Sequence, residues 1–421
     1  MLDAPPNITF PLVVTGEIDD SPLDGAITLD EKGDYWFESE TSWSGGTQPG
    51  SSAAQLKEFR GFYGSSPIYL KGPDFWKGGR QYIRVQDLRV GTSHPDESYV
   101  EVRCTYQYAK QLSSWYHRDG AQRSPRTPLK LPALESAPEM SLIFEGDSVQ
   151  LTVETPAPIE HFEIQLEAFR RLLTFAAQRP VAQLSMTGRT ESGAESSIFA
   201  RQFMKPGNAP KRDYRDFPLR LGNENTQNAI TKWWEMSDKL RPLPQTVAGI
   251  IAQPGYVESD FVFLATVLDR LGDEWADVPN LLTKEQFQAV QGALSELELP
   301  DSFQITNTVP FEPRVVAVSE LLPSEVWETL RIDRGSWIKS LKRHRNLVAH
   351  SSEQRAAHRA FMTGLGLRAL RDATAVIVTL LMVQHLGVEG EALEFAADRL
   401  RVTRIHRYTN EELRFTNSGL G

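Results

Sequence analysis

A mixed α+β chain is predicted, with a β-rich first domain over residues 1–215 and an all-α helical bundle over 216–421. Three observations predict it. Up to about residue 215 short apolar segments alternate with Gly, Pro, Ser and Asp turns. Beyond it, apolar residues recur at three- and four-residue spacing. Between them lies a polar segment, 205–215, with Pro206, Gly207, Pro210 and several charges, which reads as a linker. A length of 421 residues suits two domains, each large enough for its own core.

In the first domain, strands are expected at 9–14, 25–29, 35–38, 66–70, 80–90, 99–108, 140–144 and 149–154, with two more at 181–187 and 197–203. That spacing suggests a sandwich or an open barrel. The stretches 45–52 and 118–132, rich in Gly, Ser, Pro and Arg, read as long loops. One helix interrupts the strands at 160–178, where Phe162, Leu166, Phe169, Leu172 and Leu173 form one stripe and Pro180 ends the run.

The second domain opens with a helix at 226–240 carrying Ile230, Trp233, Trp234 and Met236. A helix at 257–275 follows, with Phe261, Leu264, Leu268 and Leu271 on one face and Asp269 near its end. Thr283 and Gln286 make a capping box for a helix at 283–297. The long segment 323–349 reads as a single helix weakened at Gly335, and 355–386 as the last long helix, kinked at Gly364 and Gly366. Such a series makes a bundle. The basic tail 399–414 reads as an edge strand or an RNA-facing strip.

Composition narrows the class. The hydrophobic fraction of 40% and charged fraction of 24% are those of a globular protein. Met1 to Pro6 carry no basic patch leading into an apolar core, so no signal peptide is expected. The longest apolar run, 373–383, is about half a bilayer span and reads as a buried core helix. The lone Cys104 lies in an alternating apolar segment, which argues for a buried structural thiol and permits no disulfide within the chain. A cytoplasmic location without membrane contact is expected. The net charge of −10 argues against indiscriminate coating of nucleic acid. Yet ten Lys or Arg face three Asp or Glu over 331–372, whereas nine acids face two bases over 256–300.

The basic island surrounds Arg345-Asn346-Leu347-Val348-Ala349-His350. Arg offers a permanently charged planar fork for phosphate, and His exchanges protons near neutrality. On a continuous helix, residues five apart lie about 140° around the axis and share no face. Ser351 and Gln354 read as a second capping box, which predicts a break after His350 that turns it back toward Arg345. Asn346 can donate and accept, orienting a phosphate or the imidazole. Metal-free RNA cleavage needs a base for the 2'-hydroxyl, a cation for the phosphorane and an acid for the leaving 5'-oxygen. His350 suits proton transfer and Arg345 charge stabilisation. A two-fold dimer with two such sites across one cleft would supply the second proton-transfer group. No His-Glu-x-x-His or closely spaced acid pair accompanies them, so neither metal nor cofactor is expected. His344, His358 and His385 read as surface or core residues, and Gly61-Phe62-Tyr63-Gly64 as a turn.

On these residues the second half resembles a HEPN domain, a helical bundle whose nucleases carry Arg, a polar residue that is often Asn, and then His. Arg345, Asn346 and His350 match that pattern residue by residue. The β-then-helical order, the Trp233-Trp234 helix, the 261–275 helix and the run 346–350 are most similar to the ApeA-like group of bacterial anti-phage defence proteins. The resemblance implies a metal-independent RNA endonuclease that forms 2',3'-cyclic phosphate ends, acts on tRNA anticodon loops and arrests growth during infection. It also implies a phage-derived trigger or restraint at the first domain. Asp269 stands where the resemblance implies a glutamate late in the second helix. Two rival readings are a noncatalytic HEPN module that binds RNA or a partner protein, and a glycan- or ligand-binding sandwich resting on Trp36, Trp43, Tyr63 and Trp76.

Overall fold

The computed structural model describes residues 12–18, 21–29, 35–39, 56–63, 66–77, 80–85, 87–91, 97–109, 128–145, 148–200, 217, 226–297, 306–307, 309–349, 365–408 and 413. The expected loop at 45–52, the linker at 205–215, His350, the 351–354 capping box and His358 lie outside them. The described chain is α+β, with antiparallel strands in its first part and helices in its second. It divides into two compact units: 1–215 with 221–240, and 216–220 with 241–421.

The first unit contains thirteen described strands: β1 (Leu12–Ile18), β2 (Ser21–Leu29), β3 (Tyr35–Ser39), β4 (Leu56–Tyr63), β5 (Ser66–Lys77), β6 (Arg80–Val85), β7 (Asp87–Val90), β8 (Ser98–Tyr106), β9 (Leu129–Leu131), β10 (Met140–Glu145), β11 (Ser148–Pro158), β12 (Gln183–Arg189) and β13 (Glu195–Ala200). The expected sandwich or open barrel resolves into one hydrogen-bonded sheet in the order β4-β1-β2-β3-β6-β5-β7-β13-β12-β8-β11-β10-β9. An additional β4–β5 pairing, from Leu56↔Pro73 to Tyr63↔Ser66, closes the first six strands into a ring. The long β5 makes both arrangements possible, pairing with β7 at 68–71 and with β6 at 74–77. Closure removes the exposed edges that these strands would otherwise present. Val14, Ile27, Phe37, Phe59, Ile68, Leu70 and Ile83 are fully buried in this part of the sheet, and the Phe37 and Phe59 rings meet at 5.0 Å.

Strand β4 contradicts the turn expected at 61–64, because Gly61 pairs with Gly16 and Ile68 on its two flanks. The segment expected as one strand at 80–90 is divided into β6 and β7, which pair with different stretches of β5. Cys104 is buried in β8, and burial pushes its thiol well above the ordinary range, as suits a structural rather than a nucleophilic cysteine.

Helix α1 (Ile159–Ala177) packs on β8 and β11 through Phe162, Leu166, Phe169 and Leu173, as its stripe predicts. Helix α2 (Thr226–Lys239) belongs to this unit rather than to the helical bundle. Its two tryptophans explain why. Trp233 Nε1 donates to Ala168 O at 3.0 Å, and Trp234 Nε1 donates to Gln165 Oε1. Fully buried Gln165 in turn donates to Pro132 O at 3.1 Å and Pro138 O at 3.2 Å. Buried indole N–H groups need acceptors, and α1 supplies both.

The second unit contains α3 (Leu243–Ala252), α4 (Val257–Trp275), α5 (Lys284–Ser295), α6 (Phe311–Ser319), α7 (Ser324–Leu330), α8 (Arg334–Ala349), α9 (Leu365–His385) and α10 (Gly390–Leu400), ending in a π-helical turn (Arg401–Ile405). Helix α4 is central, packing against α3, α6, α8 and α9. Its bounds and the Thr283–Gln286 capping box agree with the periodicity and spacing of the sequence. The run 373–383 lies in α9 and is buried throughout except for Ala375. No helix among the described residues is long and apolar enough to cross a membrane.

Two expectations fail here. The single helix at 323–349 is divided into α7 and α8, and the break is at Arg331, not Gly335. Arg331 adopts a left-handed conformation (φ 57) that closes α7, and the Asp333 carboxylate then accepts from Ser336 N at 2.7 Å at the start of α8. The described part of the tail, 399–408, is not an edge strand. Over 399–405 it is helical, and Arg407 and Tyr408 bind Asp372 of α9.

Candidate functional site

The residue types that drew attention in the sequence meet where α4, α6 and α8 converge. Helix α8 buries Trp337, Leu341 and His344, at i, i+4 and i+7, against the core. Lys342 and Arg345, three residues apart, lie on the flank turned toward α6. Lys342 Nζ is 2.5 Å from Glu312 Oε2. The Arg345 guanidinium sits over the Phe311 ring with 4.5 Å to its centroid. Such a cation–π contact is worth about 0.5–2 kcal/mol, depending on desolvation. Asn346 is exposed beside it.

Helix α4 contributes the opposing charge. Asp269 is partly buried; burial raises its pKa above the ordinary carboxylate value of roughly 3.9, Arg314 and Arg345 pull it down, and Asp273 pushes it up. Arg314 Nε lies 3.2 Å from Asp269 Oδ1, yet neither atom finds a partner in hydrogen-bond alignment. The contact is therefore Coulombic in character. Arg314 Nη1 also comes within 3.9 Å of Asp273 Oδ1. One carboxylate thus lies in the field of two guanidinium groups, from α6 and α8.

Gly272 makes this meeting possible. A Cβ built there would stand 2.7 Å from Arg314 O and 2.9 Å from Arg314 Cβ, so only a glycine lets α6 come this close to α4 one turn beyond Asp269. Gly272→Ala is expected to force the two helices apart and to cost about 1–3 kcal/mol, read as a lowered urea midpoint with unchanged slope. A midpoint equal to wild type would show that the α4–α6 contact yields without cost.

Of the three residues singled out in the sequence, Arg345 and Asn346 are placed by α8, and His350 lies outside the described residues. Asp269 stands within the electrostatic reach of Arg345. Sequence reasoning missed Phe311 and Arg314, because α6 begins Phe311-Glu312-Pro313 and reads as a broken segment. Pro313 falls within the first turn, where a missing N–H costs nothing. His344 is buried in the core, and His385 stacks on Trp275 with centroids 4.2 Å apart at 8°. Among the described residues no three His, Cys, Asp or Glu side chains converge as a metal site would require.

No protein-family model, curated protein or solved structure matches this chain.

Proposed function

We propose that the protein is a HEPN-type, metal-independent RNA endonuclease whose catalytic residues are Arg345, Asn346 and His350. The observation that carries this reading is the convergence of Arg345 with Asp269, an acid late in a preceding helix of the same bundle. Arg345 binds the scissile phosphate and stabilises the charge of the phosphorane. His350 transfers the proton, and Asn346 orients phosphate or imidazole. Asp269 is a positioning residue: its charge and the Phe311 ring bias the guanidinium from opposite helices before RNA arrives.

The substrate class is RNA, with single-stranded tRNA anticodon loops favoured because unstacked nucleotides allow in-line attack. A homodimer pairing two sites supplies the second proton-transfer group. The cellular role is abortive-infection defence in the cytoplasm, with a phage-derived trigger acting at the β-rich unit. Expression of the wild-type chain should arrest growth and fragment RNA, while His350→Ala at equal abundance should do neither. Equal toxicity and fragmentation by His350→Ala would remove the assignment.

A second reading is favoured by one detail. Arg345 is already engaged by Phe311 and by the charge of Asp269, as a structural arginine would be. In a noncatalytic module of this kind, purified protein would bind RNA at low salt and leave it intact.

A further inference from the structure

We infer that Arg314 of α6 is a positioning residue for RNA binding: it occupies Asp269, the carboxylate that would otherwise draw Arg345 into an ion pair and away from phosphate. The inference rests on the reading of Arg345 as the phosphate-binding group and adds a residue that this reading does not use.

A guanidinium fork grips a carboxylate and a phosphate in the same geometry. An acid beside a phosphate-binding arginine is therefore a competitor as well as a guide. Three acids surround this corner of the bundle, and each is held by another cation. Glu312, next in the chain to Phe311, has its Oε2 2.5 Å from Lys342 Nζ. Asp273, one turn beyond Asp269, has its Oδ2 3.1 Å from Arg270 Nη1. Asp269 itself has its Oδ1 3.2 Å from Arg314 Nε, and the two side chains are only 21% and 20% exposed, which strengthens the attraction between them. Arg345 is left in the field of Asp269 and rests over the Phe311 ring, which offers no lone pair to compete for its N–H groups.

Helix α6 supplies both halves of this arrangement. Phe311 and Arg314 are three residues apart, so one turn of helix presents the ring to α8 and the cation to α4. Gly272 sets the distance, because a Cβ there would stand 2.7 Å from Arg314 O.

Without Arg314, Asp269 becomes a partly buried carboxylate with Arg345 as the remaining cation among those that act on it. An uncompensated charge in such a place is costly, and a direct pair with Arg345 relieves it. RNA then binds only the fraction of molecules in which Arg345 is free, and its apparent affinity falls by that fraction. The Arg314–Asp269 contact lacks hydrogen-bond alignment, so the charge of Arg314 matters and its fork does not.

The test measures the half-saturating concentration of tRNA and the maximal cleavage rate for wild type, Arg314→Gln, Arg314→Lys, Asp269→Asn and the double variant Arg314→Gln/Asp269→Asn. Arg314→Gln should raise the half-saturating concentration about tenfold, as sequestration of nine-tenths of the molecules requires. Arg314→Lys should restore most of the wild-type value. The double variant should return to the value of Asp269→Asn alone, because removing the competing carboxylate frees Arg345 again. A folding defect lowers the active fraction, and with it the maximal rate, but leaves half-saturation where it was. A lower maximal rate at unchanged half-saturation in Arg314→Gln would therefore make Arg314 a residue of the fold and overturn the inference. A double variant that binds as weakly as Arg314→Gln would do the same. Wild type that leaves tRNA uncut removes the nuclease reading and this inference with it, whereas a cleaving wild type matched in half-saturation by Arg314→Gln removes the inference alone.

Discussion

Purified Arg345→Ala protein should cleave RNA about a hundred- to a thousandfold more slowly than wild type, and His350→Ala should be impaired at least as much. The loss should appear in the rate at saturating RNA and not only in affinity, because in the proposed mechanism both groups act on charge and protons that develop in the transition state. Arg345→Lys separates charge from shape. It keeps the cation but loses the planar fork that can grip two phosphate oxygens, so most of the activity should still be missing. The contacts that hold Arg345 at rest do not lock it away. The cation–π contact is worth about 0.5–2 kcal/mol, and the attraction to Asp269 acts through space without a direct ion pair among the described residues. A phosphate making two charge-assisted hydrogen bonds competes successfully with that. Wild-type rates in Arg345→Ala would show that its engagement with Phe311 is its whole purpose.

Replacing Asp372 with Ala should destabilise the helical unit by about 3–5 kcal/mol, a large part of the 5–15 kcal/mol typical of a domain. Asp372 is 2% exposed on α9, and it receives Arg407 and the Tyr408 hydroxyl, the latter at 2.6 Å. Arg371 Nε lies 2.8 Å from its Oδ1, an ion contact without hydrogen-bond alignment. Arg371 in turn reaches Asp260 at 3.4 Å, and Asp260 accepts from Gly255 N at 3.0 Å. Burial together with the Asp372 carboxylate pushes the Tyr408 phenol up to about 12, so it remains a donor throughout the physiological range. Removing Asp372 strands a buried guanidinium beside a single remaining acid and leaves the Tyr408 hydroxyl without its acceptor. Asp372→Asn should cost less, because an amide oxygen still accepts from Tyr408. Urea midpoints of the two variants check this ordering, and an Asp372→Ala protein as stable as wild type would mean that the tail contributes nothing to the fold.

The long periodic elements were legible from residues alone. Phe261, Leu264, Leu268 and Leu271 locate α4 to the residue, and the Thr283–Gln286 box locates the start of α5. Three kinds of signal were not legible. Arg331 ends α7 in a left-handed conformation for which Gly is the usual cue, so 323–349 reads as one helix. Pro313 disguises α6, because a proline in the first turn looks the same in sequence as one that breaks a helix. The unit to which Trp233 and Trp234 belong is decided by acceptors on α1 more than sixty residues earlier, which no local pattern reveals.

The candidate site shows the same division. Arg345, Asn346 and His350 are visible as a motif because they lie within six residues of one another. Asp269 stands out as a lone acid near the end of an amphipathic helix, while its proximity to Arg345 is a property of helix packing. Phe311 and Arg314 come from the disguised helix, and the role of Gly272 depends on a close backbone approach between α4 and α6 that no sequence pattern records.

The most direct test of ribonuclease chemistry at Arg345 and His350 is the end groups formed when purified wild-type protein and His350→Ala are incubated with tRNA in excess chelator. Wild type should cut a tRNA loop and leave 2',3'-cyclic phosphate and 5'-hydroxyl ends, while His350→Ala leaves the tRNA intact. Cleavage that leaves 5'-phosphate ends, that stops in chelator, or that proceeds equally in His350→Ala would contradict it.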